Sequence, residues 1–306
     1  MSVAEQGLSE KIIAGDLRAL ARAATWVENA RPEAQQLLKE MFPRTGRAMI
    51  LGVTGPPGAG KSTLCDQLTR ALRAEGKTVG VIAVDPTSPY TGGAILGDRI
   101  RMQQHHDDPD VFIRSMATRG CMGGVARTTM EMTMLLDAAG RDVVIVETVG
   151  VGQDEVEIAS LADVTIVVLV PGMGDDVQAI KAGIMEIADV FAINKADLPG
   201  VEKLDRELKN YLGLSHRPDG WTPTIVQTVA SDGKGIAELL AAAREYHARG
   251  AEEGRAGRIW ATRLREMLRE RLLERFPAAD FEAAGRAVAA HERDPYSILD
   301  EWIKRK

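Results

Sequence analysis

Short apolar runs recur through the middle of the chain, between residues 48 and 229, and longer amphipathic or charged segments separate them. Runs that are apolar at nearly every position are typical of strands buried on both faces. Their alternation with helical segments predicts an α/β domain with a mostly parallel sheet, whose ligand lies at the carboxyl ends of the strands. The predicted strands are AMILGVT, TVGVIAVD, VFIRSM, VVIVET, VTIVVLVP, VFAINKAD and TIVQTV.

Apolar residues near both ends of the chain recur at the spacing of an α-helix instead. Near the N-terminus they are Ile13, Leu17, Leu20, Ala24 and Val27, and near the C-terminus they are Trp260, Leu264, Met267, Leu268, Leu272 and Phe276. Packing against the central domain would bury each stripe, and so would a dimer contact. The segment RGAEEGRAG at 249–257 interrupts the periodicity with glycines and mixed charges. We therefore predict an N-terminal helical extension at 1–46, the α/β domain at 47–249 and a C-terminal helical arm at 250–306.

The composition excludes several classes of function. With 306 residues, a formal net charge of −6 and 4% aromatic residues, the chain lacks the basic surface and stacking groups typical of nucleic-acid-binding proteins. No apolar stretch approaches the ~18 residues of a membrane span, and MSVAEQGLSEKII has acids where a signal peptide is basic and then apolar. Cys65, Cys121 and the five histidines lack the spacing of a disulfide framework or a zinc site. These patterns predict a cytoplasmic protein that binds small molecules or proteins, not nucleic acid or membranes.

The sequence GPPGAGKST at 55–63 follows a predicted strand and precedes a helix-forming segment, which is the context of a phosphate-binding P-loop. Its glycines let backbone N–H groups turn toward phosphates at a helix N-terminus. Lys61 then contacts the β- and γ-phosphates, and the Ser62 hydroxyl ligates Mg²⁺. The candidate phosphate-binding residues are Gly55, Gly58, Ala59, Gly60, Lys61, Ser62 and Thr63.

Two predicted strands end in carboxylates that could complete a Mg²⁺ site. Asp85 closes VGVIAVD, and Glu147 follows VVIV. Because both residues project from the edge at which the phosphates lie, Mg²⁺ would satisfy a charge that is otherwise costly at the edge of a core. The sequence therefore predicts Ser62, Asp85 and Glu147 as neighbours of the metal ion.

The sequence NKAD at 194–197 predicts that the nucleotide base is guanine. Asp197 can accept from two guanine N–H groups, Asn194 can reach the opposite edge, and the Lys195 stem can lie over the base. Adenine has an acceptor where guanine has a donor, so it would leave buried groups unpaired. The segment TVASDGKGI at 228–236 adds Ala230 and Ser231 as further base-binding candidates. The predicted ligands are thus GTP or GDP with Mg²⁺.

Longer stretches of the sequence go beyond these general motifs. They are GPPGAGKSTL, VDPTSPYTGGAILGDRIRM at 84–102, SMATRG at 115–120, ETVGVGQDEVEIASLAD at 147–163, VLVPGMGDDVQAIKAGIMEIADVFAINKAD at 168–197 and DPYSILD at 294–300. Through them nearly the whole chain resembles the MeaB/ArgK family of P-loop GTPases, chaperones of adenosylcobalamin-dependent acyl-CoA mutases such as methylmalonyl-CoA mutase. Cys121 and Met122 depart from the His-Leu pattern of the family, so a role of that histidine does not carry over.

The resemblance implies a GTPase that is slow alone and is stimulated by its partner, a mutase of the methylmalonyl-CoA or isobutyryl-CoA type. It implies a homodimer joined by the C-terminal arm. It also implies an extra switch loop that faces the mutase, within GMGDDVQAIKAG at 172–183. The candidate catalytic residues are then Lys61, Asp175, Gln178 and Lys181, and the candidate metal ligands are Ser62, Asp85, Asp98 and Glu147.

Other functions remain open on the sequence. A nickel-delivery GTPase would need exposed metal ligands, and only HHDDPD at 105–110 is suitable; its adjacent His105 and His106 point ~100° apart on a helix. A transport-linked kinase is disfavoured by the guanine motif, and a non-catalytic nucleotide sensor by the completeness of the phosphate and metal residues. Gln153 and Asp154 are alternative candidates for positioning the attacking water.

Overall fold

A parallel sheet of seven strands forms the centre of the protein. The structure is a computed structural model, and it describes residues 7–85, 102–105, 107–117, 124–148, 161–172, 184–214, 217, 219–252, 255–273 and 275–304. The strands are β1 (Met49–Thr54), β2 (Val79–Asp85), β3 (Val111–Ala117), β4 (Val143–Glu147), β5 (Val164–Leu169), β6 (Val190–Ile193) and β7 (Thr224–Gln227). Their order is β3-β2-β4-β1-β5-β6-β7, with β1 in the middle. The predicted α/β fold is confirmed, because one strand begins within one residue of the start of each predicted apolar run.

Helices connect the strands and flank the sheet. In the described residues they are α1 (Leu8–Ile13), α2 (Leu17–Glu28), α3 (Pro32–Met41), α4 (Lys61–Ala74), α5 (Gly124–Ala138), α6 (Ile184–Ile187), α7 (Val201–Leu214), α8 (Ile236–Glu252), α9 (Arg255–Leu273), α10 (Ala278–Ala289) and α11 (Pro295–Lys304). Single 3₁₀ turns lie at Phe42–Arg44, Gln103–His105 and Ala230–Asp232. No helix among the described residues is both long and apolar enough to span a membrane.

Successive side chains of each strand enter two different apolar layers, which explains why the strands are apolar at nearly every position. Leu51 and Val53 of β1 pack in one layer with α4 and α8, and Ile50 packs in the opposite layer with α1, α2, α3 and α5. A third cluster joins β5 and β6 to α7. Cys65 of α4 is fully buried in the first layer, as expected for a packing residue.

The N-terminal helices correct one detail of the predicted stripe. Leu20, Ala24 and Val27 of α2 are buried as expected, but Ile13 is 42% exposed at the end of α1. The chain turns between the two helices, and the Asp16 side chain caps α2 by accepting from two backbone N–H groups. Because the capping residue starts a new helix, Ile13 does not continue the periodicity of α2.

Two compact units are distinguished along the chain, Met1–Ile259 and Trp260–Lys306. The first contains the sheet. Within the second, Phe276 stacks on Trp302 with ring centroids 5.0 Å apart, and Phe281 meets the same Trp302 ring edge-on at 4.8 Å. Phe276 thus belongs to an aromatic cluster of its own unit. Leu264 and Leu268 of α9, in contrast, are 59% and 60% exposed.

Candidate functional site

The predicted P-loop lies between β1 and α4, at the carboxyl end of the central strand. Two of its glycines permit close backbone approaches. Gly55 has φ +143°, and a Cβ atom there would lie 2.2 Å from the carbonyl oxygen of Val168. Gly60 has φ +87°, and a Cβ atom there would lie 2.5 Å from Asn194 Nδ2. Side chains at these positions would therefore push the loop away from β5 and from Asn194.

Lys61 opens α4 and directs its ammonium group back into this loop. Its Nζ donates to the carbonyl oxygens of Gly55 and Pro56 at 2.8 and 3.0 Å, and the side chain is buried. The N-terminus of a helix favours anions, because its first N–H groups are unpaired within the helix and its dipole is positive there. A phosphate in the loop could thus replace the two carbonyl groups as the acceptor of this cation. Ala59 is fully buried and Thr63 is half-buried.

Ser62 and Glu147 meet at the same edge of the sheet. Ser62 Oγ donates to Glu147 Oε1 at 2.6 Å, and the two residues are 7% and 4% exposed. Glu147 ends β4, which pairs with β1 through Val53. A hydroxyl and a carboxylate supply the oxygen ligands that Mg²⁺ prefers, so this pair fits the predicted metal ion.

The remaining predicted metal ligands are described only in part. Asp85 ends β2, two positions beyond Ala83, which pairs in register with Glu147. This register places the Asp85 backbone at the edge that carries the P-loop, while its side chain is outside the described residues, as is all of Asp98. Among the residues that the structure does describe, no three His, Cys, Asp or Glu side chains form a group that could hold a metal ion.

Asn194, at the end of β6, joins the P-loop to the segment after β7. Its Nδ2 donates to the carbonyl oxygen of Ala59 at 2.8 Å. Its Oδ1 accepts from Thr228 Oγ1 and from the backbone N–H of Ala230, both at 3.1 Å. The side chain is 2% exposed and its amide is therefore fixed in one orientation by three contacts.

The other predicted base-binding residues surround Asn194. Lys195 has φ +55°, and its exposed Nζ donates to the carbonyl oxygen of Gly58 at 2.9 Å. Asp197 is exposed. Ser231 is also exposed, and its hydroxyl donates to Asp232 Oδ1 at 3.0 Å. The structure thus brings NKAD and TVASDGKGI to one end of the P-loop, where an exposed carboxylate can meet a base.

Sequence reasoning did not single out Thr228. Its hydroxyl donates to Asn194 across 34 positions of sequence, and only the pairing of β6 with β7 brings the two side chains together. A threonine before a loop carries no signal for such a contact. Seven further residues named from the sequence lie outside the described residues: Cys121, Met122, Gln153, Asp154, Asp175, Gln178 and Lys181.

His105 does not lie on an exposed metal-carrying surface. Its Nε2 is 3.1 Å from Asp66 Oδ1, and the two side chains are 8% and 9% exposed. Asp66 belongs to α4, four residues after Ser62, so the histidine packs the segment before β3 against the helix of the P-loop. His106 is outside the described residues.

Known proteins resemble this chain over most of its length. Residues 20–281 match the model of a family described as methylmalonyl Co-A mutase-associated GTPase MeaB. A putative GTPase of Pyrococcus abyssi is 49% identical over 97% of this chain and 95% of its own. The mouse mitochondrial protein methylmalonic aciduria type A homolog is 34% identical over 79% of this chain and 65% of its own. The crystal structure of a LAO/AO transport system kinase, 30% identical, covers 99% of this chain and 98% of its own with a TM-score of 0.76.

Proposed function

The chain belongs to the MeaB family of GTPases, and from this premise we propose that its hydrolysis of GTP to GDP and phosphate controls an adenosylcobalamin-dependent acyl-CoA mutase. In this proposal the protein is a chaperone that gates cofactor loading and protects the mutase, which is of the methylmalonyl-CoA or isobutyryl-CoA type. The observation that carries the proposal is the family match over residues 20–281, whose description names association with methylmalonyl-CoA mutase. The similarity to the mouse methylmalonic aciduria protein supports the same partner.

The contacts at the P-loop support a role for each nucleotide-binding residue. Lys61 is held inside the loop by two carbonyl groups and would turn its ammonium to the β- and γ-phosphates. Ser62 and Glu147, with Asp85 and Asp98, would hold Mg²⁺, which neutralises phosphate charge when bound. Asp197 would accept from the guanine N–H groups while Asn194 braces the loop.

Coupling to the mutase is assigned to the loop that contains Asp175, Gln178 and Lys181. Isolated P-loop GTPases are slow, on the order of 10⁻⁴ to 10⁻² s⁻¹, until a further group completes the stabilisation of charge at the γ-phosphate. We propose that the mutase reorders this loop and thereby stimulates hydrolysis. Slow intrinsic turnover suits a chaperone, because the GTP-bound state then persists until the partner responds.

The experiment measures binding and hydrolysis with a purified adenosylcobalamin-dependent methylmalonyl-CoA mutase. We expect co-elution that depends on whether GTP or GDP is present, and faster single-turnover hydrolysis when the mutase is added. Lys181→Ala and Gln178→Ala should keep GTP affinity and intrinsic turnover but lose most of the stimulation. Lys203→Ala, on the exposed face of α7, is the matched control and should respond as the wild type does.

Two results would contradict the proposal at different points. Absence of both co-elution and stimulation, with GTP hydrolysis intact, would remove the mutase as the partner. Stimulation that is unchanged in Lys181→Ala and Gln178→Ala would keep the partner but exclude the loop as the coupling element. Transfer of a phosphoryl group from the nucleotide to a protein acceptor instead of water would favour the kinase function named for the solved relative.

A further inference from the structure

Two buried threonine hydroxyls bridge the strands that carry the P-loop and Glu147. Thr148 Oγ1 donates to Thr54 Oγ1 at 2.9 Å, and the two residues are 4% and 0% exposed. They are 94 positions apart in the sequence. Neither side chain belongs to the residues that would contact nucleotide or Mg²⁺, so their contact has no role in the site described above.

The position of the bridge connects it to that site. Thr54 is the last residue of β1 and directly precedes Gly55 of the P-loop, and Thr148 directly follows Glu147. The backbone N–H of Thr148 also donates to the carbonyl oxygen of Val53 at 3.1 Å. The pairing of β1 with β4 therefore continues one residue beyond Glu147, and the hydroxyl contact closes it.

Glu147 is thus held from two sides. Its own carboxylate accepts from Ser62, and its neighbour is tied to the residue from which the P-loop starts. A hydrogen bond between hydroxyls is directional, whereas apolar contacts between side chains of the same shape are not. The bridge consequently fixes the position of the end of β4 relative to Ser62. Apolar packing alone would define that position less tightly.

We propose that Thr54 and Thr148 are a pair of positioning residues for GTP hydrolysis, which set the place of the Glu147 carboxylate relative to Ser62 and to Mg²⁺. A misplacement of about 1 Å can lower a rate roughly a hundredfold, because positioning supplies much of the catalysis in phosphoryl transfer. The pair acts through Glu147 and does not itself touch the reacting atoms. The inference needs only the GTPase activity and is independent of the identity of the partner.

The test uses the full chain and compares two quantities, the melting temperature, which reports stability, and the rate of hydrolysis, which reports the position of Glu147. Thr148→Val keeps the shape of the side chain but leaves the Thr54 hydroxyl buried without its partner, so it should lower the melting temperature by several degrees. The double variant Thr54→Val with Thr148→Val replaces both hydroxyls by apolar groups and should recover most of that loss. In both variants single-turnover hydrolysis should be about tenfold slower than in the wild type, or slower still, with GTP affinity little changed.

Three further measurements separate positioning from a general effect of losing a buried hydroxyl. Thr148→Ser keeps the donor and should restore the rate. Thr69→Val removes a different fully buried hydroxyl, which lies on α4 and donates to the carbonyl oxygen of Cys65. This variant should leave the rate unchanged. The Mg²⁺ concentration for half-maximal hydrolysis should rise in Thr148→Val and in the double variant, because the carboxylate at the metal is less well placed.

The proposal is overturned if hydrolysis in the double variant recovers together with its melting temperature, since the bridge would then serve stability alone. Equal rates in Thr148→Ser and Thr148→Val would also overturn it, because the hydroxyl would then be irrelevant. Were Thr148→Val too unstable to purify, the double variant and Thr148→Ser would still decide between the two roles.

Discussion

Asn194 links two parts of the nucleotide site, the P-loop and the segment after β7, through one buried amide. It donates to the P-loop at Ala59 and accepts from Thr228 and Ala230 in the segment after β7. The residue was expected to read the base, and the structure gives it a bracing position between the loop and that segment. Because both functions would use one side chain, a change in the loop should be transmitted to the base-binding residues.

Gly60→Ala tests this link at the scale of a single residue. The new Cβ would lie 2.5 Å from Asn194 Nδ2, and φ of +87° adds strain of roughly 1 kcal/mol. We expect a loss of several kcal/mol in the free energy of unfolding of the nucleotide-free protein, measured with urea. Gly58→Ala has a similar φ of +75° but open space for its Cβ, and should lose only the cost of strain. Equal losses in the two variants would show that the contact with Asn194 can relax freely.

Asp197→Ala addresses the choice of base. The exposed carboxylate is the predicted acceptor for two guanine N–H groups, and each unpaired donor costs about 1 to 3 kcal/mol. Calorimetry should show GTP and GDP affinities reduced roughly tenfold to a hundredfold per group, with ATP affinity unchanged. Asp205→Ala on α7, whose partner Lys209 is exposed, is the control and should bind as the wild type does. A variant that still prefers GTP as strongly as the wild type would assign base selection to another residue.

At the scale of secondary-structure elements, side chains of α4 bind the segment that precedes β3. His105 lies against Asp66 of this helix, and Arg73 binds Asp108 and Asp110 at 2.8 and 2.7 Å. The hydrogen bond from Arg73 is the main cause that lowers the pKa of the Asp108 carboxyl. The helix that begins in the P-loop therefore also determines where the chain enters β3.

Loss of the ion pairs of Arg73 in the variant Arg73→Met should appear as a pH-dependent change in the free energy of unfolding. A carboxyl whose pKa is lowered by folding stabilises the protein above its unfolded value of about 3.8, and this contribution disappears as the pH falls through the folded pKa. We expect the variant to lose about 1 kcal/mol at pH 7 and at pH 5, and the difference from the wild type to shrink below pH 3.8. Urea unfolding of the variant and the wild type at these pH values measures the difference in their free energies of unfolding.

A matched substitution on the same helix serves as the control. Arg70 is 52% exposed, lies 3.9 Å from Asp66 and donates to the neutral, exposed Gln104 side chain, so Arg70→Met removes no close ion pair and should cost less than Arg73→Met at neutral pH. If the loss in Arg73→Met were the same at pH 7 and at pH 3, lost packing of the arginine stem would explain it instead of the ion pair.

The elements themselves were largely predictable, because the information for them is local. The inner strands β1, β4, β5 and β6 are buried on both faces and are therefore continuous apolar runs, and the P-loop and NKAD motifs place their residues at strand ends. Contacts between distant residues were not predictable. The Thr54 and Thr148 bridge and the contact of Thr228 with Asn194 depend on which strands are neighbours. Ile13 was misplaced for a related reason, since the turn before α2 interrupts a spacing that looks continuous in sequence.

At the scale of the whole molecule, the second compact unit exposes a row of large apolar side chains to solvent, which is unfavourable in a monomer. Leu264, Leu268 and Leu272 of α9 recur every four residues and are 59%, 60% and 45% exposed. On a helix this spacing puts them on one face. We propose that residues 250–306 form a dimerisation arm and that this face is covered by a second copy of the chain.

Substitutions on that face should convert the dimer into monomers. Leu264→Glu with Leu268→Glu would place two carboxylates in an apolar contact, where they have no cations to pair with, and light scattering should then give the mass of one chain. Leu214→Glu is the control, because Leu214 of α7 is 84% exposed but lies outside the proposed arm, and that variant should remain dimeric. GTP hydrolysis without partner should be similar in all of them, since the P-loop and its neighbours lie within Met1–Ile259. A wild-type chain that is monomeric at micromolar concentration would instead mean that α9 keeps its leucines exposed for a different protein, and the mutase would then be the first candidate to cover them.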